Sequence, residues 1–204
     1  MRIAWVERLM PFFSQNGFSN LTMDHLAIQL GISKATFYKY FESKESLISV
    51  IVDMKISEIS QYRTIFENRD LPYKERFFSG LEIASRSMTD VSNIFLSDLK
   101  SEYPQMWRKI DAFKTEALES LIFFYQEGMS LNVFKEGINP SVLVLTDHLM
   151  LSSINDPALL RKYQISLKQF FTEYFLMKCM AIFRDDNPEE YRTRLQMIAK
   201  SLRS

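Results

Sequence analysis

The stretch from Thr22 to Lys44 concentrates side chains suited to holding a polyanion: Thr22, Ser33, Lys34, Thr36, Tyr38, Lys39, Tyr40 and Lys44, with the small Ala35 among them. Hydroxyls and ammonium groups donate to phosphate oxygens and base edges without making or breaking a covalent bond. Such donors are useful only on a rigid frame, and the spacing supplies one. Ala27, Gly31 and Phe37 have the spacing of two short helices joined by a tight turn. Ala27 is small where the helices cross. Gly31 sits where the backbone often needs a positive φ. Leu26 and Phe37 fill the wedge between the helices, and Ser33 can cap the second helix by accepting a backbone N–H. Lys34, Ala35, Thr36, Tyr38 and Lys39 then fall near the exposed start of a helix that can enter a major groove.

The surrounding elements read as all-α. Five Gly and six Pro in 204 residues are few for an all-β chain, and no alternating pattern marks a strand. Helices are expected over about Arg2–Gln15, Thr22–Gln29, Lys34–Tyr40 and from Ser43 towards Phe66. Further helices are expected from Pro72, over Val91–Leu99, Pro104–Gly128, Asn139–Ile154 and Leu159–Arg184, and from Asn187. Nine or ten helices result. Pro11 lies inside the first, where an interior proline costs roughly 3 kcal/mol, so a kink or broken start is expected. The chain divides into an N-terminal part, 1–48, that holds the two-helix pattern, and a larger helical part, 49–204.

Gly17-Phe18, Thr22-Met23, Leu26-Ala27, Gly31 to Phe41 and Ser43 to Leu47 resemble the N-terminal signature of TetR-family transcription regulators. The likeness spans Phe12 to Ile48. It implies that Thr22 and Lys44 hold phosphates and that Ser33 caps the recognition helix. It implies too that Lys34, Ala35, Thr36 and Lys39 face the major groove, while Tyr38 and Tyr40 brace the backbone. Ala35 stands where the family often has Gly, and Leu21 where Thr is common. The family resemblance implies DNA binding by 1–48, and regulation and dimerisation by 49–204. It further implies a homodimer, a near-palindromic operator and, often, a small-molecule inducer in the helical part.

The rest of the chain bears on those last two points. Met88, Phe95, Met106, Trp107, Phe113 and Phe124 are candidates for the wall of a pocket for a small apolar or amphipathic ligand. Asp147 and His148 interrupt an apolar stripe and are candidates to orient that ligand. The Leu159–Arg184 helix has two apolar faces and so needs two partners. Phe171, Phe175, Cys179 and Ile182, with Met150 and Leu151, are the expected dimer interface.

Other classes of function are disfavoured by what the sequence lacks. Net charge is zero, with 25 Lys+Arg against 25 Asp+Glu, which excludes coating nucleic acid by charge alone. Residues 1–48 carry five basic and four acidic side chains, and too few arginines precede the motif for a basic arm. One cysteine excludes a disulfide framework, and two histidines make no metal set, so no metal or cofactor is expected. No Gly-rich phosphate loop, nucleophile elbow or Glu-x-x-His pair points to an enzyme. No apolar run is long enough to span a membrane, and no signal peptide is apparent, so the cytoplasm is the expected compartment. The reading is a ligand-responsive homodimeric repressor. The alternative is a DNA-binding regulator whose C-terminal part docks a protein, or an activator without a small-molecule inducer.

Overall fold

The computed structural model describes residues 1–90, 92–153 and 157–202, with no side chains described at 59, 62, 86–90, 93, 151–153 and 157. Eleven helices make up the described chain. They are α1 (Arg2–Asn16), α2 (Met23–Leu30), α3 (Lys34–Tyr40), α4 (Lys44–Glu67), α5 (Tyr73–Asp90) and α6 (Asn93–Glu102), followed by α7 (Pro104–Ser130), α8 (Pro140–Ser153), α9 (Pro157–Lys162), α10 (Leu167–Ile182) and α11 (Pro188–Ala199). The chain is all-α, with an isolated bridge between Phe134 and Phe183 as the β-type pairing among the described residues. No described helix is long and apolar enough to cross a membrane.

Proline sets much of the punctuation. Pro104, Pro140, Pro157 and Pro188 each stand at the first residue of a helix, where the missing N–H costs nothing. Pro72 directly precedes α5, its carbonyl accepting from Arg76 N at 3.1 Å, and Pro11 alone lies in the interior of a helix. It lies inside α1, which nevertheless runs unbroken from Arg2 to Asn16, so the expected broken start does not occur. The apolar residues Val6, Leu9, Met10 and Phe13 of that helix are buried on both sides of the proline, and this packing holds the helix together.

The expected helix over Leu159–Arg184 is instead two, α9 and α10. Gln164 has φ 54°, a left-handed conformation that ends a helix. Ser166 then starts α10, its Oγ accepting from Gln169 N at 3.1 Å. Both signals are local, but they lie inside a stretch whose apolar period runs straight through them.

The chain forms two compact units. The first comprises 1–59 and 90–114, the second 60–89 and 115–204. The first unit is thus larger than the expected 1–48. Phe95 and Leu99 of α6 pack in the same core as Phe13, Phe18, Leu26, Phe37, Phe41 and Ile51. The second unit's core is aromatic, built on Tyr73, Phe77, Phe78, Phe124, Tyr125, Phe134, Phe171, Phe175, Phe183 and Tyr191.

Candidate nucleic-acid interface

The α2–turn–α3 segment is held by caps at each of its ends. Thr22 caps α2, its Oγ1 accepting from His25 N at 3.3 Å. Gly31 ends α2 with φ 70° and ψ 31°, a left-handed turn that a side chain resists. Ser33 caps α3, its Oγ accepting from Thr36 N at 3.1 Å and lying 2.8 Å from Thr36 Oγ1. Each such cap contributes about 1 kcal/mol. Phe37, fully buried between the helices, contributes roughly 1.5–3 kcal/mol more.

Two arginines of α1 lock the far ends. Arg8 Nη2 donates to Leu30 O at 3.0 Å, and Arg2 Nε donates to Tyr40 O at 2.8 Å. These carbonyls close α2 and α3, where helix partial charge is negative and a cation is favoured. Trp5 meets the Tyr40 ring edge-on at 4.8 Å. Neither arginine serves as a free arm. Their positioning role, across 22 and 38 residues, has no local sequence signal.

A third tie comes from α6. Asp98 Oδ2 accepts from Phe18 N at 2.6 Å and Ser19 N at 2.9 Å. Burial alone would raise this carboxyl, but the donated N–H bonds from Ser19 and Phe18 outweigh it and hold Asp98 below the usual carboxylate range. Gly17 makes room for the tie. Its φ is 66°, and a Cβ there would lie 2.3 Å from Asp98 Oδ2. Gly17→Ala is therefore expected to cost at least about 1 kcal/mol, read as a lower melting temperature. An unchanged melting temperature would refute the tie.

On this frame the expected contact residues separate. Ala35, Thr36 and Lys39 are exposed, and Tyr38 is 44% exposed. Lys34 is exposed too, but its ammonium is paired with the Asp24 carboxylate. Lys39 has no ion pair among the described residues. Thr22 and Ser33 each spend an oxygen lone pair on a cap; Thr22 keeps a hydroxyl proton to donate, while the Ser33 hydroxyl shares a hydrogen bond with Thr36 Oγ1. Tyr40 is half-buried against Trp5. Lys44 is engaged, donating to Ser19 O at 2.9 Å, 3.3 Å from Glu102 and 5.5 Å above the Phe18 ring. Asp24, Arg2, Arg8 and Asp98 are the residues that the sequence alone did not single out.

The residues expected to wall a pocket divide between the two units. Phe95, Met106, Trp107 and Phe113 belong to the first unit, and Phe124, Asp147 and His148 to the second. Phe95 and Phe124 are closed into two different cores, so neither lines open space. Met88 lies outside the described side chains. Asp147 is buried, accepting from Tyr174 Oη at 2.8 Å and from Lys178 Nζ. Lys178 in turn sits 4.7 Å above the Tyr125 ring. The carboxylate's partners are thus protein groups.

The expected dimer face is also corrected. Phe171, Phe175, Cys179 and Ile182 are each at most 1% exposed within one chain, leaving no surface for a second copy to bury. They face their own core because Phe183, Tyr191 and Leu195 pack in the same cluster. Burial pushes the Cys179 thiol up to about 12, so it is inert. Of the other two, Met150 is half-exposed and Leu151 lies outside the described side chains. The opposite face of α10 is the open one, with Met177 63% and Met180 45% exposed.

Two capped helices with an exposed polar start, braced on a closed core, define a DNA-binding protein of the helix-turn-helix class. The family described as "Bacterial regulatory proteins, tetR family" matches residues 10–51. A Bacillus subtilis (strain 168) protein, "Uncharacterized HTH-type transcriptional regulator YvaF", is 33% identical over 156 residues, 74% of this chain and 80% of that one. The chain belongs to the tetR family of bacterial transcription regulators. A TetR-family regulator from Marinobacter aquaeolei VT8 has the same fold, with a TM-score of 0.70 at 18% identity, covering 100% of this chain and 99% of that one. The ketosteroid transcriptional regulator KstR2 of Mycobacterium tuberculosis has a TM-score of 0.66 at 16% identity, covering 90% and 95%. A gamma-butyrolactone receptor described as ArpA-like has a TM-score of 0.70 at 14% identity, covering 98% and 96%.

Proposed function

We propose that this regulator acts in the cytoplasm as a homodimeric repressor on a near-palindromic operator, released by a small apolar or amphipathic ligand. The observation that carries the DNA reading is the exposed first turn of α3, where Lys34, Ala35 and Thr36 stand clear of a helix fixed at both ends. Phosphate contacts set its register and base-edge contacts choose the sequence. Two-fold pairing doubles a sparse positive charge and reads two half-sites.

The dimer reading is supported by outward apolar residues on two helices of the second unit. Val142 and Leu145 of α8 are 56% and 55% exposed, and Met177 and Met180 of α10 are 63% and 45% exposed. Asp147 ties these helices together through Tyr174 and Lys178. Exposed apolar groups at this density mark a surface that another chain covers. Ligand release is supported by the aromatic content of the second unit and by the names of two proteins of like fold, which refer to ketosteroid and gamma-butyrolactone. The physical scheme is a population shift, in which ligand binds the DNA-incompetent state better than the competent one.

A mobility shift on the region upstream of its own gene tests this reading. Retardation of a near-palindromic segment, relieved by a small molecule, is expected. No retardation even at low salt overturns it. Lys39→Ala is expected to weaken binding to all sequences alike and to make the salt slope shallower by about 1 per protomer. A loss confined to one base position would assign Lys39 to a base edge.

A further inference from the structure

We propose that Asp24 competes with DNA phosphate for Lys34 and thereby sets the absolute affinity of this surface for DNA. The inference rests on the DNA-binding reading of α3 and adds a regulator of its strength. Asp24 lies in the first turn of α2 and Lys34 is the first residue of α3. Their side chains, 41% and 61% exposed, meet as carboxylate and ammonium across the turn. A carboxylate oxygen and a phosphate oxygen make the same kind of charge-assisted bond to an ammonium group. In the free protein Lys34 is therefore already bound to an internal anion on the face that meets DNA.

The other lysines sharpen the point. Lys44 is held by Ser19 O and Glu102, whereas Lys39 has no ion pair among the described residues. Of three cations in this segment, one is uncommitted and two must exchange an acidic partner for a phosphate. Each Asp24–Lys34 pair broken on binding opposes it. An exposed pair stabilises by up to about 1 kcal/mol, so two pairs in a dimer weaken binding by roughly two- to thirtyfold. The penalty falls on operator and unrelated DNA alike, wherever Lys34 reaches a phosphate or base edge. It keeps the protein from being held by bulk DNA, which is consistent with a chain of zero net charge.

The test is a set of affinities for the full chain and its Asp24→Asn, Lys34→Gln and doubly substituted forms. Each is titrated with a palindromic duplex from its own upstream region and with an unrelated duplex, between about 50 and 200 mM salt. Asp24→Asn is expected to tighten both by roughly two- to thirtyfold, with the gain shrinking as salt rises. The gain is expected to vanish in the Lys34→Gln background. Asp24→Ser serves as a second removal of the carboxylate, with thermal melts checking that each variant folds. Unchanged or weaker binding by both Asp24 variants overturns the proposal. So does an equal gain with Lys34→Gln, which reduces Asp24 to a general repulsive charge. Failure of the unsubstituted chain to bind either duplex overturns the DNA reading itself, and this inference with it.

Discussion

Asp147→Ala is expected to destabilise the protein by on the order of 3–5 kcal/mol, a larger loss than any single surface change. The reason is the partner left behind. Lys178 is 7% exposed, and its ammonium has Asp147 as its carboxylate. Burial already pulls Lys178 below the usual lysine range, and Asp147 opposes that pull. Without the carboxylate the buried ammonium is uncompensated, and Tyr174 loses its acceptor. For a chain of this length the melting temperature should fall by roughly 6–20 °C.

The sign of the pH dependence follows from the same pair. With its folded pKa depressed, Lys178 binds fewer protons folded than unfolded, so stability rises with pH towards the unfolded lysine value of about 10.4. Asp147→Ala deepens that depression and should steepen the recovery at alkaline pH. Pairing it with Lys178→Met should restore most of the loss, since an apolar pair of similar volume removes both charges. If Asp147→Ala melts like the parent chain, the buried pair has no structural role.

Leu145→Arg, combined with Met177→Lys, should split the proposed dimer while leaving each chain folded. Both side chains are more than half exposed, so neither cation is forced into the protomer's core. In a two-fold interface every substitution acts twice, and two sets of like charges then face one another. Light scattering should give the mass of one chain, with an unchanged far-ultraviolet spectrum. Operator affinity should fall by on the order of 100- to 10,000-fold, the gain that linking two sites supplies. A variant that remains dimeric would place the interface elsewhere, and a parent chain that is monomeric would favour docking of a different protein on this face.

How far the sequence is legible depends on how local each cause is. Caps, helix-opening prolines and the Gly31 turn act within a few residues. Ser33, Gly31, Pro104 and Pro188 therefore mark their elements directly, and α3 falls at its expected bounds. The break between α9 and α10 is local too, but Gln164 is not a usual left-handed residue and the apolar period masks it. Long-range causes leave no such trace. Asp98 reaches Phe18 across 80 residues, and Arg2 reaches Tyr40 across 38. Period alone shows that α10 has two apolar faces; it does not say which one its own chain covers. That choice was made by α11 and Phe183, which close over Phe171, Phe175 and Cys179. The separation of Phe95 from Phe124 is of the same kind, since Met and Phe stripes look alike whether they line a cavity or fill a core.

The central claim is that two copies of α3 read paired half-sites. Its most direct test is the affinity of the full chain for a palindrome from its own upstream region, against each half-site alone, at one physiological salt concentration. Two chains should bind each palindrome, with either half-site bound on the order of 100-fold more weakly or worse. A half-site bound as tightly as the palindrome, or one chain per duplex, would contradict it.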